Sequence, residues 1–397
     1  MFPPELSPDV RAMADELVSL RRDFHRHPEL GHEETRTQQA VLEFLSRSGV
    51  SAAPIAGTGV VGLIEGARPG PTLLLRGDMD ALPIQEQSEH PYRSESSGCM
   101  HACGHDAHTA MLLGTGKLLA TRGLQRGRVK LLFQPAEEGL GGAAKTIEAG
   151  VLEDPVPDAA LAFHVWTPYP IGRVVAVDGA ATANVDGFRI HVQGHGTHAA
   201  TPEDGVDPML IAAQIMSAAQ TLVTRRTGAH DPVVLTFGGL TGAEAWNIIP
   251  DEVVLAGTIR SFDAAVRKRV RGELIELAQG IAHAMQGSAR YETTTDHIAT
   301  YNDPRVAGLV RDVASELLGS EAVASPRPLM VGEDFGEILE RIPGTLALLG
   351  CGNPDIGAGF PHHHPRFDID ERVLPLGVEL FLRVVDRFLA APPKSRV

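Results

Sequence analysis

The chain has 397 residues, enough for two or three domains, and its 43% hydrophobic and 21% charged content is that of a folded globular protein, not a disordered one. A formal net charge of −15, from 35 Lys+Arg against 50 Asp+Glu, argues against nucleic-acid binding, and no apolar run reaches the roughly 18 residues of a membrane helix. Three cysteines, Cys99, Cys103 and Cys351, are too few for a disulfide framework; together with the absence of a basic-then-apolar leader in Met1 to Val10, they make a reduced, cytoplasmic compartment the expectation.

Ser7-Pro8-Asp9 predicts a helix start, with a capping Ser, a first-turn Pro and an acid. Val10, Met13, Leu17, Leu20 and Phe24 continue it at helical spacing, until Pro28 and Gly31 stop it. A second helix is expected from about Thr35 to Ser48, ended by Gly49. Short apolar strands follow at Val60 to Ile64, Thr72 to Leu75 and Val129 to Phe133, with a helical pattern from about Ala107 to Ala120 before the last. Ala159 to Phe163 and Arg173 to Val177 read as further strands. This alternation predicts an α/β domain with a central, mostly parallel sheet flanked by helices. The middle differs: Phe188, Ile190 and Val192 alternate with polar residues, and the order from there is β-α-β-β-α-β, the ferredoxin-like arrangement. The expected division is a metal-binding catalytic domain over 1–185 and 298–397 with an inserted lid or dimerisation domain over 186–297. The basic run Arg267, Lys268, Arg269, Arg271 reads as a solvated helix face.

Chemistry-bearing residues gather at predicted strand ends and at a helix start, where open α/β sheets bind ligands. Asp78 and Asp80 follow the strand from Thr72, and carboxylates two apart on a strand point the same way; an ordinary turn is the bland alternative. His101, Cys103, His105, Asp106 and His108 fall at a helix start. Thiolate and imidazole are preferred zinc ligands, so metal binding leads, ahead of a Cys–His nucleophile pair and of an inert buried Cys. Glu137 and Glu138 follow the next strand, so that one could bind metal while the other handles protons. His164 follows a third strand, and Pro361-His362-His363-His364-Pro365 adds three consecutive imidazoles.

In this respect the chain resembles the dinuclear metallo-amidohydrolases that include aminoacylases, hippurate hydrolase and plant auxin-conjugate hydrolases. The matching stretches are RGDMDALPIQE (76–86), GCMHACGHDAHTAMLLG (98–114), FQPAEEG (133–139), FHVW (163–166), GHGTHAATPEDGVDP (194–208), NIIPD (247–251), GTIRSFD (257–263), GEDFG (332–336) and HHPRFDIDE (363–371). The resemblance implies metal ligands Cys103, His105, Glu138, His164 and His363, with His363 chosen because the pattern is His-x-Pro. It implies Glu137 as general acid/base, Asp80 as the residue orienting a ligand, and His198 as a histidine that reaches the active site of a partner subunit. Asn247 and Arg260 resemble positions near the substrate. Asp78-Met79-Asp80 stands where broader exopeptidase relatives carry His-x-Asp, and Cys103 where they carry a bridging Asp, which favours the amidohydrolase branch.

The resulting expectation is an enzyme holding two divalent ions per subunit (zinc, manganese, nickel or cobalt). It would cleave the amide bond of small N-acyl amino acids and work as a homodimer, with no nucleic-acid or membrane partner. An exopeptidase with the same metal chemistry is the alternative. A non-catalytic metal-dependent scaffold is a weaker one, since a closed structural site needs no spare proton carrier such as Glu137.

Overall fold

In the computed structural model, which describes residues 4–242, 244–324 and 327–393, the chain begins with α1 (Pro8–Arg26), α2 (Thr35–Arg47), β1 (Ser51–Ile55), β2 (Gly59–Glu65) and β3 (Thr72–Asp78). There follow α3 (His105–Arg122), β4 (Arg128–Gln134), α4 (Gly142–Glu148), β5 (Ala159–Pro170), β6 (Val174–Val175) and β7 (Gly179–Ala180). A second group comprises β8 (Asn184–Gln193), β9 (Thr197–His198), α5 (Pro208–Thr224), β10 (Val233–Thr241), β11 (Ile248–Ile249), β12 (Glu252–Ser261), α6 (Ala264–Ala284) and β13 (Ser288–His297). The chain ends with β14 (Tyr301–Asn302), α7 (Pro304–Leu318), β15 (Val323–Ala324), α8 (Gly336–Leu339), β16 (Gly344–Gly352) and α9 (Val373–Ala390). Two compact units result: Met1–Ala181 with Tyr301–Arg327 and Asp334–Val397, and Thr182–Thr300 with Pro328–Glu333. The boundaries expected at 185/186 and 297/298 compare with 181/182 and 300/301, and the short return 328–333 joins the second unit, which sequence gave no reason to expect.

The first unit is built on an eight-stranded sheet in the order β1-β2-β4-β3-β5-β16-β6-β15. Its centre, β4-β3-β5-β16, is parallel, and β2 joins β4 antiparallel. Leu73 and Leu75 of β3 face one core with α1, α3 and α9, while Leu74 faces another with Val151 and Ile338. A strand covered on both faces has no polar side, which is why Thr72–Asp78 reads as an unbroken buried run. Helix α3 is likewise buried from His105 through Gly116.

Several elements depart from expectation. Ser7 precedes α1, but its backbone N–H and hydroxyl both donate to Glu379 Oε2 on α9, at 3.0 and 2.8 Å, so the side chain makes no cap bond. The strand expected to stop at Phe163 runs to Pro170, because β16 continues to pair with it as far as Gly352. The strand expected over Arg173 to Val177 shrinks to two residues.

The second unit has the sheet order β10-β12-β8-β13, antiparallel throughout, with α5 and α6 packed on the face that carries Phe188, Ile190 and Val192. This is the split β-α-β-β-α-β arrangement. The basic run on α6 is not wholly solvated: Arg267 is buried, with Nε 2.8 Å from Asp186 and a further bond to Asp296, and Arg271 Nη1 lies 3.1 Å from Asp186. Asp186 is buried on β8 and needs this countercharge. No helix among the described residues is long and apolar enough to cross a membrane.

Candidate metal centre

The site collects where β3, β4 and β5 deliver their carboxyl-terminal residues to the start of α3. Gly104 sits between Cys103 and His105 with φ +88°, and a Cβ there would lie 2.3 Å from Val165 Cγ2, so only glycine lets the two side chains flank this turn. His105 opens α3 and donates from Nδ1 to the Asp80 carbonyl at 2.9 Å, which leaves Nε2 bare. The Asp80 carboxylate accepts the backbone N–H of both Glu137 and Glu138, each at 3.0 Å, and so holds the loop after β4. The preceding residue, Ala136, has φ +54° and donates its N–H to Glu34 Oε1 at 2.8 Å. Three consecutive amides of this loop are therefore gripped by two buried carboxylates.

His164 lies within β5, donates from Nδ1 to the Val165 carbonyl at 2.7 Å, and presents Nε2 3.6 Å from Cys103 Sγ. The three consecutive histidines separate sharply. His362 donates from Nε2 to the Val165 carbonyl at 2.9 Å and stacks on Trp166, and burial pushes its pKa down to about 2. His364 stacks on Phe360 and accepts the Arg366 N–H. His363, at φ +63° with its N–H bound to the Ala102 carbonyl, has Nε2 3.3 Å from Glu138 Oε1.

Ligand atoms lie within 4.8 Å of one another in several overlapping groups, among them Cys103, His105 and His164; Cys103, Glu138 and His363; His105, Glu137 and Glu138; and Asp78, His105 and His108. His105 Nε2 and Glu138 Oε1 are buried, make no hydrogen bond, and stand 4.0 Å apart. Each has an ionisable neighbour, Asp78 Oδ2 3.5 Å from His105 Nε2 and His363 Nε2 3.3 Å from Glu138 Oε1, but no hydrogen bond, and a cation with ligand bonds of about 2.0–2.2 Å fits between them. The charge distribution agrees. Burial alone would keep His105 neutral, but Asp78, Asp80 and Glu138 outweigh it and raise its pKa to about 10. The same negative field attracts a metal ion, which competes with that proton. Burial, with Glu138, Glu137 and Asp78 adding to it, also holds the Cys103 thiol well above its ordinary pKa. A Cys–His nucleophile needs the opposite shift, whereas a bound cation supplies the positive charge a thiolate requires.

Asp78 faces His105 as well, with Oδ2 3.5 Å from Nε2, but its hydrogen bonds go elsewhere. Its carboxylate accepts from Arg76 Nη1 at 2.6 Å and from His108 Nδ1 at 2.5 Å. Arg76 continues to Gln134 at 2.9 Å and Asp334 at 3.1 Å. On the far side of α3, buried Arg21 pairs with Asp106 and Asp368, both at 2.8 Å. Sequence reasoning missed Glu34, Arg76, His108 and Asp334 as supports of the site. His108 stood in the His/Cys cluster at the start of α3, Arg76 and Asp334 had no signal beyond membership of matched stretches, and Glu34 had none.

Among the expected site residues, Asp80, Cys103, His105, Glu137, Glu138, His164 and His363 come together in the first unit. His198, Asn247 and Arg260 belong to the second. There, Ile248 pairs with His198 across a two-residue ribbon, and the Asn247 carbonyl accepts the Ala199 N–H at 3.1 Å. His198 is exposed and accepts the Ala200 N–H on Nδ1 at 3.0 Å. Half-buried Arg260 donates to the Met330 carbonyl at 2.7 Å and meets no carboxylate among the described residues, so it is not held in a structural salt bridge.

Thiol, imidazole and carboxylate donors converging beyond the strand ends of a parallel sheet, with a second carboxylate alongside, define a metal-dependent hydrolase. The chain belongs to peptidase family M20/M25/M40, whose model matches residues 74–387. It is 38% identical over 392 residues to the N-acetyl-L-cysteine deacetylase of Bacillus subtilis (strain 168), covering 98% of this chain and 92% of that protein. It is 37% identical over 379 residues to thermostable carboxypeptidase 1 of Saccharolobus solfataricus, covering 94% and 95%. The crystal structure of the Bacillus subtilis YXEP protein, a dinuclear metal binding peptidase from the M20 family, matches with a TM-score of 0.82 at 32% identity, covering 96% of this chain and 99% of that one.

Proposed function

We propose that this enzyme hydrolyses the amide bond of N-acyl amino acids to a carboxylic acid and a free amino acid. The observation that carries the mechanism is the adjacent pair Glu137–Glu138, whose amides share Asp80 and whose carboxylates each have an oxygen within 4.8 Å of a His105 ring nitrogen. Cys103, His105, Glu138, His164 and His363 would hold two divalent ions of zinc, manganese, nickel or cobalt, which when bound polarise the acyl carbonyl and acidify a water. Glu137 takes the proton from that water as its oxygen bonds to the acyl carbon. The same carboxyl then gives the proton to the amide nitrogen as the C–N bond breaks. Asp80 keeps His105 and both glutamates in register throughout.

Arg260 pairs with the free carboxylate of the substrate, and Asn247, on the ribbon that carries His198, is a second substrate-binding residue. His198 donates a hydrogen bond to the developing oxyanion from the partner subunit of a homodimer. Three free, buried cysteines suit a reduced cytoplasmic setting.

The test is Glu137→Gln, which keeps the shape and removes the base. Turnover of acetyl- or benzoyl-amino acids should fall at least about a hundredfold with metal content retained. Near-normal turnover removes Glu137 from the mechanism, and loss of metal means the two glutamates exchange roles. A second reading, carboxypeptidase activity, is favoured by the 37% identity to thermostable carboxypeptidase 1. Both substrate types end in a free carboxylate, so Arg260 would serve either. Turnover of N-acyl amino acids against peptides separates them, with N-acyl amino acids expected to lead.

A further inference from the structure

We propose that Asp78 and His108 are positioning residues that set the orientation of His164 by holding the peptide between His164 and Val165. The proposal rests on His164 being a metal ligand, as proposed above.

The argument starts at the end of a ladder. β3 pairs with β5 only as far as Arg76 and Ala162. Beyond that register no strand among the described residues pairs with the β3-facing edge of β5, yet Val165 is fully buried. Its N–H would be an orphan, and a buried orphan donor costs about 1–3 kcal/mol. The His108 ring takes the place of the missing strand: Nε2 accepts the Val165 N–H at 2.9 Å. An accepting Nε2 carries no proton, so the ring proton is on Nδ1, where it is donated to Asp78 Oδ1 at 2.5 Å. Asp78 is kept as an anion in fixed orientation by Arg76 Nη1 at 2.6 Å. The order Arg76–Asp78–His108 therefore selects one tautomer, and only that tautomer can hold Val165.

Val165 is the node of the site. Its N–H binds His108, and its carbonyl accepts from both His164 Nδ1 and His362 Nε2. Its side chain presses on Gly104, between Cys103 and His105. Releasing the N–H would let this backbone turn, and the His164 ring with it, away from Cys103 Sγ.

Three variants test this, read by chelator-competition metal affinity, by thermal unfolding of the metal-free protein and by ¹⁵N NMR of the histidine rings. In Asp78→Asn the new amide can donate to His108 Nδ1, which moves the ring proton to Nε2 and abolishes the acceptor. Metal affinity should fall about 10–100-fold, as for lost outer supports of a ligand. In His108→Gln the side-chain oxygen still reaches the Val165 N–H, so the loss should be several-fold smaller. In the double variant no tautomer exists to be misplaced, so affinity should match His108→Gln alone. Losses that multiply in the double variant would overturn the proposal, because they mean the two residues act separately. So would equal unfolding losses with unchanged metal affinity, the outcome of a merely structural role. NMR of the wild-type metal-free protein covers the case in which Asp78→Asn does not fold: a protonated Nδ1 with bare Nε2 on His108 is expected, and the opposite tautomer refutes the relay. His164→Ala separates the two claims. If it keeps full metal affinity, the ligand assignment fails, while the tautomer result still stands or falls on its own.

Discussion

Glu34 has no motif around it, yet the geometry assigns it a large effect on activity. It is fully buried just before α2, accepting the Ala136 N–H at 2.8 Å and the Thr58 hydroxyl at 2.5 Å. Glu34→Ala leaves two buried donors unpaired, at about 1–3 kcal/mol each. It also frees Ala136 from a positive φ, a conformation that itself stores roughly 1–3 kcal/mol in a non-glycine residue. The loop should therefore relax, moving Glu137 and Glu138 with it. If about 2.8 kcal/mol of positioning is lost, kcat falls roughly a hundredfold. Glu34→Gln separates charge from geometry. Burial pushes the Glu34 pKa up, so the site does not favour its charge. A glutamine can still accept from Ala136 and donate to the Thr58 oxygen. It should cost about 1 kcal/mol and less than about tenfold in kcat. The assay is kcat on an N-acyl amino acid, with metal content and thermal unfolding measured on the same preparations. Glu34→Ala within about threefold of wild type, at normal stability, would refute the argument that this carboxylate holds the loop.

Cys103→Ala should lose metal and activity together by elemental analysis and assay, and retention of both removes it from the donor set. Arg21→Met removes the guanidinium that buried Asp106 and Asp368 share, leaving His25 beside Asp106 and Tyr92 beside Asp368, and should cost about 3 kcal/mol by denaturant unfolding. Asp106 is opposed by burial, but Arg21 and His25 outweigh it and hold its carboxyl far below the usual range. A depressed acid contributes fully above its unfolded pKa of about 3.9 and loses that contribution as pH falls toward the folded value, so Arg21→Met should raise the pH of acid unfolding. Arg260→Ala should raise KM for acyl amino acids more than for their amides, and equal effects would remove Arg260 from carboxylate recognition. Mixing inactive Glu137→Gln and His198→Ala subunits should restore up to about a quarter of wild-type activity if His198 acts across a dimer, whereas no recovery after confirmed exchange would refute that role.

Cys103, His105 and the two glutamates stood out as candidate donors because they fall in local clusters of metal-type residues, whereas His164 stood alone after a strand and entered the donor set only through the resemblance. The elements that hold them were not legible. Glu34, Arg76, His108 and Asp334 come from separate parts of the chain, and their partners depend on which strands the sheet makes neighbours. In the second unit, Phe188, Ile190 and Val192 revealed a one-sided strand because α5 and α6 cover one face. β16 is buried along its whole length, so Gly344–Gly352 carries no alternation to read. The three histidines mark the same limit: identical side chains at 362, 363 and 364 are told apart by a positive φ at the middle one and by Trp166 and Phe360, which claim its neighbours' rings.

Asp78 and Asp80 carry this furthest. Spaced two apart at a strand end, they were expected to point the same way, and both do face His105: Asp78 Oδ2 lies 3.5 Å from Nε2 and Asp80 Oδ1 3.3 Å from Nδ1. Equal proximity does not make them equivalent. Asp78 is the last residue of β3, two positions from Arg76 on the same face, and its charge is already shared between Arg76 and His108. Asp80 lies beyond the strand, where nothing cationic of its own strand follows it, and spends both oxygens on the amides of Glu137 and Glu138. One carboxylate thus stabilises the strand that bears His164, and the other stabilises the loop that bears the two glutamates. A single step along the pleat separates the two sides of the metal centre.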